Sequence, residues 1–234
     1  MISKFYSFIF CFFLLLNVQA QKNDFSLWNN FLKKHVSKEG KVNYEGIKNN
    51  PDNLNFVLQS LTKIIPDENW SKNEKLAFWI NTYNAFTIKL IMDNYPVKSI
   101  KDIQRPWDKI FIKIGSNTMS LNNLEHDILR KMDEPRIHFA IVCASISCPK
   151  LQNEAFSSSK IESQLTNATK EFLSDTSKNF ISPNSLELSK IFQWFSKDFK
   201  HKGSLINFLN KYSDIEISEH AKIKFKDYNW NLND

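Results

Sequence analysis

Apolar positions recur at helical spacing through the first half of the chain and then break into shorter pieces. Phe25, Trp28, Phe31 and Leu32 mark an amphipathic helix from Phe25 to Val36, which the turn Lys38-Glu-Gly40 ends. Val42-Asn-Tyr44 reads as a short extended piece, and Leu54, Val57, Leu58 and Leu61 share one face of a second helix that stops before Pro66. Ser71-Lys-Asn-Glu74 then fits a capping box, opening a helix from Leu76 to Met92 that is apolar on almost every side. Such a helix belongs at the centre of the core. Ile110 to Ile114 predicts a strand turning at Gly115-Ser-Asn117 into Thr118-Met-Ser120, with Ser120 or Asn122 capping a short helix from Leu121 to Lys131. Ile137 to Cys143 is apolar and β-branched enough for a strand buried on both faces. Beyond it, Ser157 to Lys160 caps a helix reaching Leu173, and Asn179 to Leu188 turns at Pro183-Asn184 between two strands. Helical pieces at Lys190 to Asp198 and Ser204 to Lys211 precede a last strand around Ile223 to Tyr228. Helices outnumber strands, which predicts an α+β fold: a helix-rich single domain around a small, mostly antiparallel sheet.

The first residues change the picture of where this domain begins. Lys4 precedes an apolar run from Ser7 to Leu16, and Val18 and Ala20 supply small side chains, the pattern of a secretory signal peptide cleaved after Ala20. The run is shorter than the ~20 residues a spanning helix needs, and no later segment is apolar enough to cross a bilayer. The expected organisation is therefore a leader over 1–20 and one domain over 21–234, periplasmic or secreted. The formal charge of +6 falls to +5 with Lys4 gone, and the lysines are scattered among asparagines and acids instead of forming a stripe. That excludes a nucleic-acid surface as the leading expectation. With only four glycines, Gly-rich phosphate loops are excluded as well.

Candidate chemistry gathers in Arg136-Ile-His-Phe-Ala-Ile-Val-Cys-Ala-Ser-Ile-Ser-Cys-Pro149, which carries both cysteines downstream of the leader. Cys143 and Cys148 are open to four readings: a local disulfide, ligands of a zinc site with His126 or His138 and Glu125, inert core thiols, or a thiolate activated by a histidine. The last needs an imidazole beside the thiol and a group to orient it, and Glu125, His126 and His138 supply both kinds. On a straight strand His138 and Cys143 would lie about 17 Å apart on opposite faces, so that pair needs a bend. Asn81 and Asn84 point the same way from the central helix and are candidate oxyanion donors, unless backbone groups take them. Arg136 would neutralise Glu125 or bind a substrate carboxylate. His35, His201 and His220 sit among charged residues and are expected at the surface. No cofactor is implied. The leading expectation is a thiol hydrolase or transferase acting on an amide bond of a small peptide or γ-glutamyl compound. Its rivals are a non-catalytic binding module using the aromatic side chains around Trp79, Trp107 and Trp194, and a thiol redox or metal protein.

Phe78-Trp-Ile-Asn-Thr-Tyr-Asn-Ala85, Leu124-Glu-His-Asp-Ile-Leu-Arg130, Pro135 to Pro149, Leu188-Ser-Lys-Ile-Phe-Gln-Trp-Phe195 and Asp227-Tyr-Asn-Trp230 resemble, in order, the motifs of the family DUF547. The resemblance runs from about Phe25 to Asn233 and implies a one-domain bacterial protein outside the cytoplasm. In that family the counterpart of Cys148 varies more than that of Cys143, with serine in plant relatives, and this sequence has the bacterial form. The order of helix, strand and thiol also invites comparison with papain-like and transglutaminase-like enzymes, an analogy of fold that does not by itself assign function.

Overall fold

The computed structural model describes residues 24–234; the leader-like segment and its expected cleavage site lie outside them. The chain opens with helices α1 (Ser26–His35), α2 (Tyr44–Asn49), α3 (Asp52–Lys63) and α4 (Lys72–Met92). The expected capping box is formed at the start of α4: Ser71 N–H donates to Glu74 Oε2 at 2.7 Å, and Glu74 N–H donates to Ser71 Oγ at 3.2 Å. Leu76, Phe78, Ile80, Ala85, Ile88, Leu90 and Ile91 of α4 are all buried. Each large apolar side chain hidden this way is worth roughly 1.5–3 kcal/mol, so α4 is the axis on which α1 and α3 are laid. Val42 does not extend into a strand; it makes one antiparallel bridge with Val36, and Tyr44 already begins α2. Asn43 ends the extended piece by accepting Gly46 N–H at 2.7 Å, a cap that the apolar pattern did not reveal. His35 is buried against Phe31 and not at the surface.

Strands β1 (Ile112–Ile114) and β2 (Asn117–Met119) form the expected hairpin, with Ile112 opposite Met119 and Gly115 in the left-handed region that the turn demands. A π-helix, Asn123–Leu129, follows, and Ser120, just ahead of the helical turn that leads into it, accepts Asn123 N–H at 3.1 Å. After α5 (Ile161–Ser174) comes a second sheet. In it β3 (Phe180–Ile181) pairs antiparallel with β4 (Ser185–Leu188), which pairs parallel with β5 (Lys222–Phe225). Short helices α6 (Ile191–Trp194) and α7 (Ser196–Phe199) and the longer α8 (Leu205–Tyr212) lie between β4 and β5. The α+β class is thus correct.

The central strand is not. Pro135–Phe139 is a 3-10 helix, and the chain from Ile141 to Pro149 is irregular. Its uniform apolarity has another cause. Ile137, Ala140, Ile141 and Val142 belong to the apolar cluster built on α1, α3 and α4, whereas Phe139 belongs to a second cluster with Phe172, Phe192, Phe199 and Leu209. The segment is buried on all sides because it is the seam between two cores. Its backbone is satisfied by side-chain amides in place of a neighbouring strand. Asn84 Nδ2 donates to the Ala140 carbonyl at 2.9 Å, and Val142 N–H donates to Asn84 Oδ1 at 3.0 Å. Three residues back along α4, Asn81 does the same for Phe156, accepting its N–H at 3.0 Å and donating to its carbonyl at 2.8 Å.

Removing one such amide strands two buried backbone groups, each costing about 1–3 kcal/mol. Asn84→Ala is therefore expected to lower stability by about 2–4 kcal/mol in equilibrium urea unfolding. An unchanged midpoint would show that the seam does not depend on the clamp.

Candidate functional site

A cleft of ≈ 340 Å³ opens along the seam. Its walls carry Glu125, His126, His138, Cys143 and Cys148 together, with Tyr83, Trp194 and Tyr228 among the flanking aromatics. The straight strand that would set His138 and Cys143 on opposite faces is replaced by a 3-10 turn, and both residues line the cleft. Glu125 and His126 come from the π-helix, whose i→i+5 winding brings neighbouring side chains closer in angle than an α-helix does; both thereby reach the same cleft.

Cys143 and Cys148 are joined as a disulfide, with Cα atoms 6.3 Å apart. Of the two, Cys143 is half-buried and Cys148 is only 4% exposed. Ala144, next to Cys143, has φ 56°, a left-handed conformation that costs a non-glycine residue roughly 1–2 kcal/mol. The C-terminal tail holds this turn in place. Ser145 bridges Leu232, Ile146 N–H donates to the Asn231 carbonyl at 2.8 Å, and Asn229 N–H donates to Ser147 Oγ at 2.8 Å. The same tail delivers Tyr228, whose hydroxyl lies 3.4 Å from Cys143 Sγ and 3.3 Å from Cys148 Sγ. Burial pushes that phenol up to about 12, so it stays a donor at neutral pH.

His138 is held by a partner that sequence reasoning missed. Its Nε2 lies 2.8 Å from Asp198 Oδ2, and Arg130 grips the same carboxylate from Nε at 2.7 Å and Nη2 at 2.8 Å. Burial pushes the Asp198 carboxyl up, but the hydrogen bonds from Arg130 and His138 outweigh it and hold the group well below the usual carboxylate range. An ionised Asp198 only accepts, so the His138 proton sits on Nε2 and Nδ1 keeps its lone pair. Burial also lowers the His138 pKa, against the pull of Asp198. His138 is neutral at pH 7 with one nitrogen able to take a proton. Its ring stacks on Phe195 at 3.9 Å between centroids, which fixes its plane. The available signal for Asp198 was an acid set between Phe195 and Phe199 in a lysine-rich stretch.

His126 is arranged the opposite way. Arg130 Nη1 sits 2.6 Å from its Nδ1, and a guanidinium has only donors, so Nδ1 accepts and the proton lies on Nε2. Burial, then the charge of Arg130, lowers its pKa. It is a hydrogen-bond donor with no free lone pair for a proton.

Glu125 orients neither histidine. Tyr83 donates its hydroxyl to Glu125 Oε2 at 3.4 Å, and burial raises the carboxyl to about 7 despite Arg130 nearby. Asn81 and Asn84 do not line the cleft: their amides are engaged by Phe156, Ala140 and Val142, as described above, and Trp28 Nε1 also donates to Asn81 at 3.2 Å. Arg136 is likewise elsewhere, with no ion pair to Glu125. It lies bidentate on Glu134 at 2.7 and 2.6 Å and on Glu162 at 2.6 and 2.8 Å, so its donors tie α5 to the 3-10 turn. Trp79 packs edge-on against Phe78 in the core, while Trp107, Trp194 and Trp230 line the cleft, with Trp194 46% exposed. Among the described residues no three His, Cys, Asp or Glu side chains form a metal-ligand group, and no helix is long and apolar enough to cross a membrane.

Residues 68–173 match the family model described as a protein of unknown function, DUF547, the family that the motifs resemble. No curated protein and no solved structure matches the chain. The matched segment carries both cysteines, Glu125, His126 and His138, whereas Asp198, Trp194 and Tyr228 lie beyond it.

The raised Glu125 carboxyl makes a stability prediction. Between its ordinary value of 4.5 and about 7 the folded state keeps a proton that the unfolded chain releases, so stability falls as pH rises through that window. Glu125→Gln removes the ionisation and keeps the shape. It is expected to exceed wild type in stability by about 1–3 kcal/mol at pH 8 and to match it near pH 4, as read by chemical denaturation at the two pH values.

Proposed function

We propose that the reduced protein is a thiol-dependent hydrolase or transferase acting on an amide bond of a small peptide or γ-glutamyl compound outside the cytoplasm. The observation that supports it most directly is His138, neutral, fixed through Nε2 by Asp198 and sharing a cleft with Cys143. That is the arrangement a thiol nucleophile needs: a base with a free lone pair and an orienting acid behind it.

Cys143 is the nucleophile of this reading, since it is the more exposed of the two cysteines. Its Sγ attacks the carbonyl carbon while His138 Nδ1 takes the thiol proton. The carbonyl oxygen gathers charge near the Tyr228 hydroxyl and the Nε2–H of His126, two donors on the cleft wall. The proton returns from His138 to the leaving amine, the C–N bond breaks, and a thioester on Cys143 is left for water or a second amine to resolve. Glu125 is a protonatable wall residue in this scheme, and Asp198 is the positioning residue. Trp107, Trp194 and Trp230 offer an apolar surface for the substrate beside the scissile bond. The leader-like N-terminus supports the extracytoplasmic setting.

Two measurements test it. In protein reduced and freed of reductant, iodoacetamide at about pH 6 should modify Cys143 quickly, whereas an ordinary thiol of pKa ~8.5 is nearly all protonated there. His138→Ala and Asp198→Asn should slow that labelling by at least about tenfold, and His126→Ala should not. Against a panel of peptide and γ-glutamyl anilides, Cys143→Ala should lower turnover by a factor of about 100 or more. Labelling indifferent to His138, or turnover that survives Cys143→Ala, would overturn the reading.

A further inference from the structure

The environments of the two sulfurs are unequal in a way that amide chemistry does not require. Cys148 Sγ, in a residue only 4% exposed, accepts the Cys143 backbone N–H at 2.9 Å, a fixed donor that Cys143 Sγ lacks; the Ser145 and Tyr228 hydroxyls lie between the sulfurs, each 3.3 Å from Cys148 Sγ and 3.3 and 3.4 Å from Cys143 Sγ. Cys143 is half-buried, and both cysteines line the cleft. Ser145 and Tyr228 each have a single hydroxyl proton, and the two can turn toward Cys148 at once. Donors that converge on a sulfur stabilise it most when it carries charge.

We infer that Cys143–Cys148 is an exchange-active disulfide that captures a small thiol on Cys143, with Cys148 as the leaving sulfur. A thiolate R–S⁻ attacks Cys143 Sγ from the cleft. The new R–S–S–Cys143 bond forms as the Cys143–Cys148 bond breaks, and the electron pair passes to Cys148 Sγ, where the N–H and the two hydroxyls meet the charge. The entering thiol is oxidised to the mixed disulfide and Cys148 is reduced. A second equivalent of thiol attacks the captured sulfur, releases R–S–S–R and leaves Cys143 as a thiolate. Exchange rates rise as the leaving sulfur becomes a more stable anion. The ≈ 340 Å³ cleft, walled by Tyr83, Trp107 and Trp194, sets the size of the entering molecule at that of a low-molecular-weight thiol. This inference stands apart from the amide reaction, because no acyl substrate takes part.

The test uses the oxidised full chain and reduced glutathione, with acid quenching, alkylation of free thiols, intact mass and peptide mapping. The expected result is glutathione on Cys143 and alkylation on Cys148 under folding conditions. Tyr228→Phe and Ser145→Ala should each slow capture by about tenfold, with circular dichroism showing both variants folded. As a second handle, Cys148→Ser treated with oxidised glutathione should retain the adduct on Cys143, since no resolving thiol is left. The inference is overturned if the disulfide resists glutathione until urea unfolds the chain, if the adduct maps to Cys148, or if both folded variants react at the wild-type rate. Loss of amide turnover in Cys143→Ala bears only on the proposed hydrolase.

Discussion

Two asparagine side chains on one helix hold the molecule's organising constraint. Asn81 and Asn84 project from α4 into positions where a sheet would ordinarily supply backbone partners, and they satisfy Phe156, Ala140 and Val142 instead. A buried amide without a partner is costly, and so is a buried peptide group. Pairing the two kinds of group solves both problems. It allows an irregular segment to run through the interior with no neighbouring strand, and the turn bearing Cys143 begins where that clamp ends.

The seam so created separates two apolar clusters, and the cleft follows it. One cluster is built by α1, α3 and α4, the other by α5, α8 and the aromatic side chains of α6 and α7. From the same segment Phe139 turns into the second cluster, packed 5.0 Å from Phe172 and 5.6 Å from Phe199 between ring centroids. Charged groups survive in this setting because each is paired. Arg130 holds Asp198 and His126, and Asp198 holds His138. Both histidines carry their proton on Nε2, but His138 is anchored through that nitrogen and His126 through Nδ1, so one is left able to accept a proton and the other left able to donate. That division of roles is set by donor geometry more than by the imidazoles themselves.

The C-terminal tail completes the site from far along the chain. Its pairing with Ser145 and Ile146 fixes the cysteine turn, and Tyr228 enters with it. The wall formed by Trp194, Tyr228 and Trp230, with ring centroids 4.5 to 5.7 Å apart, is too closely packed to enclose a ligand between its members. It offers a surface to lie against, next to the sulfurs.

Periodicity and caps were enough to locate α1, α3 and α4, the β1–β2 hairpin and the later helices, because amphipathic spacing and the Ser71–Glu74 box act locally. Residue chemistry was likewise enough to single out Glu125, His126, His138, Cys143 and Cys148. The apolar run from Ile137 to Cys143 misled, since burial on all sides looks the same in sequence whether it comes from flanking strands or from two cores meeting. Asn81 and Asn84 stood out as amides in need of partners, yet whether those were substrate or backbone depended on a segment more than fifty residues away. Asp198, Tyr228 and the true partners of Arg136 were not visible for the same reason. By itself the sequence determined the amphipathic helices and singled out Glu125, His126, His138, Cys143 and Cys148 as candidates for the chemistry. Only the tertiary structure decided which acid meets which base, because hydrogen bonds between distant segments depend on how the two cores dock, and that arrangement leaves no local pattern in the chain.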